Sequence, residues 1–403
     1  MPAEVTRDAE MAQAGNAADQ RWPWWPLLPL YPYGRRRTLV RELIPGQLWS
    51  FEQLQGIFYV AVPIRMTVAR LRDGLLLYAP VAPTGEVLRA LRDLEQQHGP
   101  VRSIVLPTAS GLEHKLPVPA MARAFPAAQV WVTPGQWSFP LTLPPAWLGF
   151  PAGRTRVLGD QGFPHEDELA WLSLGPLDLG LGRFQEFSCL HRASGALLIT
   201  DALVAISREP PELFEADPTP LLFHARDRGD QPLQDSPEQR RRGWQRLALF
   251  ASFLRPEALQ VPSLRQLLDQ AFGPGCRNAR SYFGLYPFHW SGSSEQAFDR
   301  LIGSQPGRLQ VAPVLERLVF PRARAVLLRW LRQLASGPGA SELRWVVPAH
   351  YDAPVPASAE GMAQLADAIE ARPWATDGGN WAYLARLDRL LLRAGVVPDR
   401  PAL

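Results

Sequence analysis

At three places in this chain a strongly apolar run ends on a side chain able to do chemistry. Ser103–Leu106 leads into Thr108-Ala109-Ser110-Gly111-Leu112-Glu113-His114. Leu197-Leu198-Ile199-Thr200 is followed at once by Asp201, and Trp345-Val346-Val347 delivers Pro348-Ala349-His350. A carboxylate or imidazole at the end of a buried strand is costly unless paired or metal-bound, and strand ends are where α/β folds place their sites. Such groups suit proton exchange or metal ligation. The plainer alternative is structural: Glu113 and His114 in ordinary hydrogen bonds or an ion pair with Lys115 or an arginine, Asp201 capping a turn, and His350 a satisfied buried histidine.

The other histidines stand further from this pattern. His191 ends the run Phe184–His191, and His224 lies in Phe223-His224-Ala225-Arg226-Asp227; both are candidates to complete a ligand set, His224 the better one. His289 sits among aromatics, and His98 and His165 read as loop residues. His165-Glu166-Asp167-Glu168 begins like the zinc motif H-E-x-x-H but lacks its second histidine, so it reads as an acidic loop. No Gly-rich phosphate cradle, G-x-S-x-G elbow or Cys-x-x-Cys is present. Cys189 reads as a buried strand cysteine, and with Cys276 it makes two thiols, a count that points to a reducing compartment.

The elements that must carry these groups follow from periodicity. Ile57–Val62, a stretch through Thr67 and Val68, and Leu75–Tyr78 read as strands, with a hairpin at Asp73-Gly74. A helix spans Glu86–Gln97, where Val87, Leu88, Leu91 and Leu94 share a face. A strand at 103–106, a helix near 120–124 and a strand at 130–132 follow. Phe184–His191 pairs with Ala196–Thr200 across Ala193-Ser194-Gly195. Helices are predicted over 238–254, 295–302, 322–334, 362–370 and 383–393, with a short strand at Arg344–Val347. The alternation predicts an α/β layered fold. Arg240-Arg241-Arg242 reads as a solvated helix face.

Composition narrows the class. The 403 residues are 46% hydrophobic and 20% charged, ordinary for a soluble, well-packed protein. A net charge of +3 does not announce a nucleic-acid partner. Residues 1–20 read as a disordered tail without the apolar core of a signal peptide, and no run has transmembrane length, so a cytoplasmic protein is expected. Trp22-Pro23-Trp24-Trp25-Pro26-Leu27-Leu28-Pro29-Leu30-Tyr31-Pro32-Tyr33 precedes Arg35-Arg36-Arg37. Its prolines exclude a helix and predict an extended strap over 21–47. The strap either lies over the protein's own core or touches a membrane surface or protein partner through Trp22, Trp24, Trp25, Arg35, Arg36 and Arg37. Residues 48–403 read as one domain, with a helical insertion or lid at about 256–343.

The order of strand, T-H-x-H-x-D-H loop, strand ending in Asp and late strand ending in His resembles the metallo-β-lactamase fold. The resemblance implies an αββα sandwich with metal held between paired sheets. Thr108 matches the loop threonine, Ala109 and Gly111 stand where its first two histidines belong, Glu113 replaces the aspartate, and His114 matches the last histidine. Asp201 matches the bridging aspartate and His350 the final histidine. The middle histidine is absent near Glu186-Phe187, and Ala79 stands for an early aspartate.

One metal position is therefore lost. The resemblance implies that the other survives as Glu113, His114, Asp201 and His350, holding one zinc, iron or manganese ion. The activity implied is a mononuclear metal-dependent hydrolase of an ester, amide or phosphoester, with His114 and Asp201 catalytic and Asp201 an orienting group or base. Longer stretches, the strap with Ser110–Lys115, Pro134–Pro140 and Leu221–Asp227, resemble a domain-of-unknown-function family of cyanobacteria and chloroplasts. That resemblance implies a photosynthetic cell and supplies no activity. The alternative is a non-catalytic, degenerate member acting as a binding or assembly module, at a membrane surface among other places.

Overall fold

Parallel strand pairs need a crossover, usually a helix, and the first half of the chain supplies them in turn. A computed structural model describes residues 18–22, 31–32, 34–57, 59–137, 141–180, 182–271, 278–373 and 377–400. Trp24, Trp25, Cys276 and nearly all of the expected tail lie outside these. Strands β1 (Leu39–Ile44), β2 (Leu48–Ile57), β3 (Val60–Leu71) and β4 (Gly74–Tyr78) form an antiparallel meander. Helix α1 (Gly85–His98) crosses to β5 (Val101–Leu106). A helical turn α2 (Leu112–Lys115) and α3 (Val118–Ala124) then cross to β6 (Gln129–Val132), and β7 (Thr155–Val157) completes a seven-stranded sheet in chain order. Thr84 caps α1 by accepting from the Val87 amide, which satisfies one of the amides a helix start leaves open.

The second sheet contains β8 (Leu169–Asp178), β9 (Arg183–His191) and β10 (Ala196–Ile199), and it closes with two late strands. Between them lie β11 (Leu203–Val204), α4 (Thr219–Ala225), α5 (Pro237–Phe253), β12 (Leu259–Gln260), α6 (Leu264–Ala271), β13 (His289–Trp290), α7 (Ser294–Ile302), β14 (Gln310–Val311), α8 (Pro313–Leu318) and α9 (Arg324–Ser336). The late strands are β15 (Trp345–Pro348) and β16 (Val355–Pro356), followed by α10 (Ala359–Ala371) and α11 (Ala382–Arg393). The strand order is β16-β15-β10-β9-β8, and β10 runs parallel to β15.

Three apolar layers define the stacking. Val87, Leu91 and Met121 of α1 and α3 pack on Met66, Ile104 and Val130 on the outer face of the first sheet. Leu48, Tyr78 and Val105 meet Phe187, Cys189 and Leu198 between the sheets. Leu327, Trp330, Met362 and Ile369 of α9 and α10 cover Leu190, Leu197 and Val346 on the far side. The architecture is therefore an αββα sandwich, as expected. A fourth cluster gathers Phe223, Trp244, Leu247, Phe298 and Leu384 with Tyr31 and Tyr59. The segment at 256–343 does more than insert helices: α9 is one layer of the sandwich, and β14 pairs with β11.

One expectation is corrected. Ile57–Val62 is not one strand: β2 ends at Ile57, β3 begins at Val60, and Tyr59 sits between them at φ 59°. The turn carries none of the usual Asn-Gly or Asp-Gly chemistry. Tyr59 is instead held by its ring, edge-on to Tyr31 and Tyr282 at 4.9 and 4.7 Å between centroids. The described part of the strap over 21–47 faces inward at Trp22, Tyr31, Arg36 and Thr38. Trp22 and Arg36 are buried, and Arg36 donates to Gln55 Oε1 at 2.9 Å. Burial lowers the Arg36 pKa to about 10, so these two residues are not available to a membrane surface; Arg35 and Arg37 are exposed. Among the described residues, no helix is long and apolar enough to cross a membrane. Arg240, Arg241 and Arg242 pair with Asp235, Glu209 and Asp227.

Helices α4 and α5 approach so closely that a Cβ at Gly243 would lie 1.8 Å from the Leu221 carbonyl oxygen. Gly243→Ala is therefore expected to destabilise the fold by at least about 1–3 kcal/mol, as overpacking does. A urea transition at the wild-type midpoint would show that the helices can part without cost.

Candidate metal centre

The loop after β5 is stitched to the other sheet. The Ala109 amide donates to Gln185 O at 3.0 Å and the Phe187 amide to Pro107 O at 2.8 Å, so the loop leaves the first sheet pinned to β9. The short turn α2 then presents Glu113 and His114. A Cβ at Gly111 would lie 2.9 Å from Glu113 Oε1 and 2.7 Å from Thr108 Cγ2. The Glu113 carboxylate thus occupies the space beside residue 111, and a histidine could not enter there without displacing it.

His114 is fully buried. Its Nδ1 lies 3.1 Å from Pro80 O and so carries the proton, while Nε2 is buried with no hydrogen-bond partner. Burial lowers its pKa against the charges of Glu113 and Asp201, which favours the neutral ring. His350, just past the end of β15, makes the matching bond from Nδ1 to Pro63 O at 3.0 Å, and its Nε2 faces Asp201 Oδ1 at 3.2 Å. Burial works against its charge, yet the hydrogen bond and charge of Asp201, joined by Glu113, raise its pKa overall.

The loop that carries His350 is itself held from inside. Arg65 of β3 is buried, donates to the carbonyls of Pro348 and Tyr351, the latter at 2.6 Å, and pairs through Nε with Glu52 at 3.0 Å. Lys115, the expected partner of Glu113, instead turns its ammonium to the carbonyls of Ala109 (2.9 Å) and Trp137. Burial brings its pKa down to about 8.

Glu186 went unrecognised among the site residues at the level of sequence. It stands where the middle histidine of the resembled pattern is missing. Its buried carboxylate accepts from the amides of Thr200 (2.6 Å), Asp201 (3.0 Å) and Ala202 (3.0 Å). Burial and the charge of Asp201 push its pKa up to about 7 despite those donors, whereas at Asp201 burial is outweighed by His350, His114 and Thr200 together, which hold its pKa low. Glu186→Ala would strip a partner from three amides at about 1–3 kcal/mol for each one left buried. A loss of about 3 kcal/mol or more in denaturant unfolding is expected; an unchanged midpoint would mean that water replaces the carboxylate.

Glu113, His114 and His350 bring one ligand atom each to within 4.8 Å of one another. Asp201 is not part of that three-way group and joins it through His350. Zinc holds nitrogen and oxygen at about 2.0–2.2 Å, which spaces two ligands of one ion about 3–3.5 Å apart; the 3.2 Å between His350 and Asp201 fits. Each imidazole also donates its far nitrogen to a backbone carbonyl, the arrangement that fixes a metal-binding tautomer. The orphaned Nε2 of His114 is the strongest sign that these residues suit an ion.

Two other histidines lie apart from this group. His191 spends both nitrogens at the β9–β10 turn, on Ser194 Oγ and Arg70 O, each at 2.8 Å. His224 packs on α4 against Phe288, 4.9 Å between ring centroids. A second trio, Asp73, His165 and Glu168, is engaged with Arg102, Ser103 and Arg72 respectively.

Fold and side chains together define an αββα sandwich protein with a candidate metal centre among its described residues. The chain belongs to the family described as Domain of unknown function (DUF4336), which it matches over residues 45–368. No curated protein matches it in sequence. Among solved structures it is similar to the metallo-β-lactamase DIM-1 exposed to ceftazidime, at 10% identity over 82% of this chain and 97% of that one, with a TM-score of 0.38. It is also similar to a metallo-β-lactamase from Pontibacter korlensis at 16% identity over 41% of this chain and 71% of that one, TM-score 0.31. The mono-zinc form of FIM-1 from Pseudomonas aeruginosa matches at 13% identity over 40% and 67%, TM-score 0.29. These are distant likenesses of fold; the chemistry of the centre rests on this chain's own side chains.

Proposed function

We propose that this protein is a mononuclear metal-dependent hydrolase, with Glu113, His114 and His350 holding one zinc, iron or manganese ion and Asp201 beside them. The observation that carries the reading is His114: its Nδ1 is tied to Pro80 O and its Nε2 is buried, unpartnered and within reach of Glu113 and His350. A purely structural role would leave that nitrogen desolvated at a cost of about 1–3 kcal/mol.

When bound, the ion supplies Lewis acidity to an ester, amide or phosphoester reaction. Asp201, held in its ionised form by His350 and fixed in place by Glu186, is the group to accept a proton from water and return it to the leaving group. Pro63 O keeps the His350 ring at a set angle, and Pro80 O does the same for His114. The test is elemental analysis of protein purified without chelators or a histidine tag. About one divalent ion per chain is expected; none, in folded protein, would overturn the proposal.

A further inference from the structure

Two apolar troughs meet at the candidate centre. One, of about 490 Å³, runs along Ile57, Val60, Ile64 and Phe288; the other, of about 370 Å³, runs along Phe184, Val204, Pro313 and Val314. Val62, Glu113, Ala251 and His350 line both. Among the described residues, no lysine or arginine lines either one. The ionisable side chains that do are Glu113, Asp201 and His350, with the phenol of Tyr351. The buried cations nearby are committed elsewhere: Arg65 to Glu52 and two carbonyls, Lys115 to Ala109 and Trp137, and Arg36 to Gln55.

An anionic arm laid along such walls would lose its hydration without meeting a counter-charge, which is costly. A hydrocarbon arm would gain from burial roughly in proportion to its apolar area. We propose that the centre takes an uncharged carboxylic ester or amide with an apolar arm on each side of the carbonyl, one arm in each trough and the carbonyl at the junction of Glu113 and His350. This rests on the hydrolase reading and narrows it to substrates whose two arms carry no charge.

The chemistry balances with water alone. A water oxygen bonds to the carbonyl carbon as the carbon–oxygen or carbon–nitrogen bond to the leaving group breaks. The leaving group takes one proton by way of Asp201, and the new acid releases another to solvent as it becomes a carboxylate.

The test uses the full chain, stripped with chelator, so that it reads the walls and not the ion. Calorimetric titration compares a dialkyl ketone, a neutral unreactive stand-in for the ester, with an alkyl carboxylate and an alkyl phosphate of matched chain length. The ketone is expected to bind at least about tenfold tighter than either anion. Val62→Asp at the junction and Val314→Asp in the second trough should each weaken ketone binding by about tenfold or more, with circular dichroism confirming that the variants fold. Equal or tighter binding of either anion, or indifference to both substitutions, would overturn the substrate class. Ketone binding in a protein that never takes up metal would instead overturn the hydrolase reading and leave the troughs as an apolar ligand site.

Discussion

His114→Ala is expected to empty the metal centre. It removes the one imidazole whose free nitrogen has no other employment, and it leaves Glu113 and His350 as the remaining members of the three-way group. Loss of an outer hydrogen-bond partner typically costs metal affinity about 10–100-fold, so loss of a ligand should exceed about 100-fold. His350→Ala should do the same. Asp201→Asn should fall in the lower range, because Asp201 reaches the group through His350. Metal per chain after exhaustive dialysis reads all three variants, with unfolding midpoints as the control. Wild-type metal content in His114→Ala would remove this residue from the ligand set.

Arg65→Met should cost the fold a large part of its stability. Glu52 and Arg65 are both buried, and Arg65 also satisfies the carbonyls of Pro348 and Tyr351. Breaking a buried pair from one side leaves an uncompensated charge and typically costs about 3–5 kcal/mol. Arg41 also reaches Glu52 from a more exposed position, which places the expected loss near the lower end. Adding Glu52→Gln should recover part of it, since the stranded carboxylate is then gone. Urea unfolding measures both variants; a midpoint unmoved by Arg65→Met would mean that Arg41 alone neutralises Glu52.

What was legible in the sequence was that Asp201 and His350 stand just past buried strands, β10 and β15. Each follows an apolar run too short and too uniform for anything but a buried strand, and a strand end leaves a polar side chain few places to go. The helix over 86–97 and the hairpin at 73–74 were legible for the same reason: period and turn chemistry agreed. Glu186 was not. A lone glutamate inside Phe184–His191 reads as one more alternating position, and nothing local says that it faces three amides fifteen residues further on. Arg65 was equally silent, because its partners come from β2 and from the loop after β15. The Tyr59 turn escaped because its stabilisation is aromatic packing from distant parts of the chain.

The wide separation of the centre's residues along the chain has a consequence for biosynthesis. His350 lies 149 positions after Asp201, so at ribosomal rates of about 5–20 residues per second it emerges roughly 7–30 s later. Throughout that interval Glu113 and His114 are already made, yet the third anchor of the proposed ion does not exist. A nascent chain therefore cannot capture metal with full affinity, and β15 cannot take its place beside β10 until then either. Loading of the proposed ion would then record that synthesis has passed residue 350 of 403. Chains stalled before that point would remain empty, with one edge of the second sheet unpaired and open to proteases.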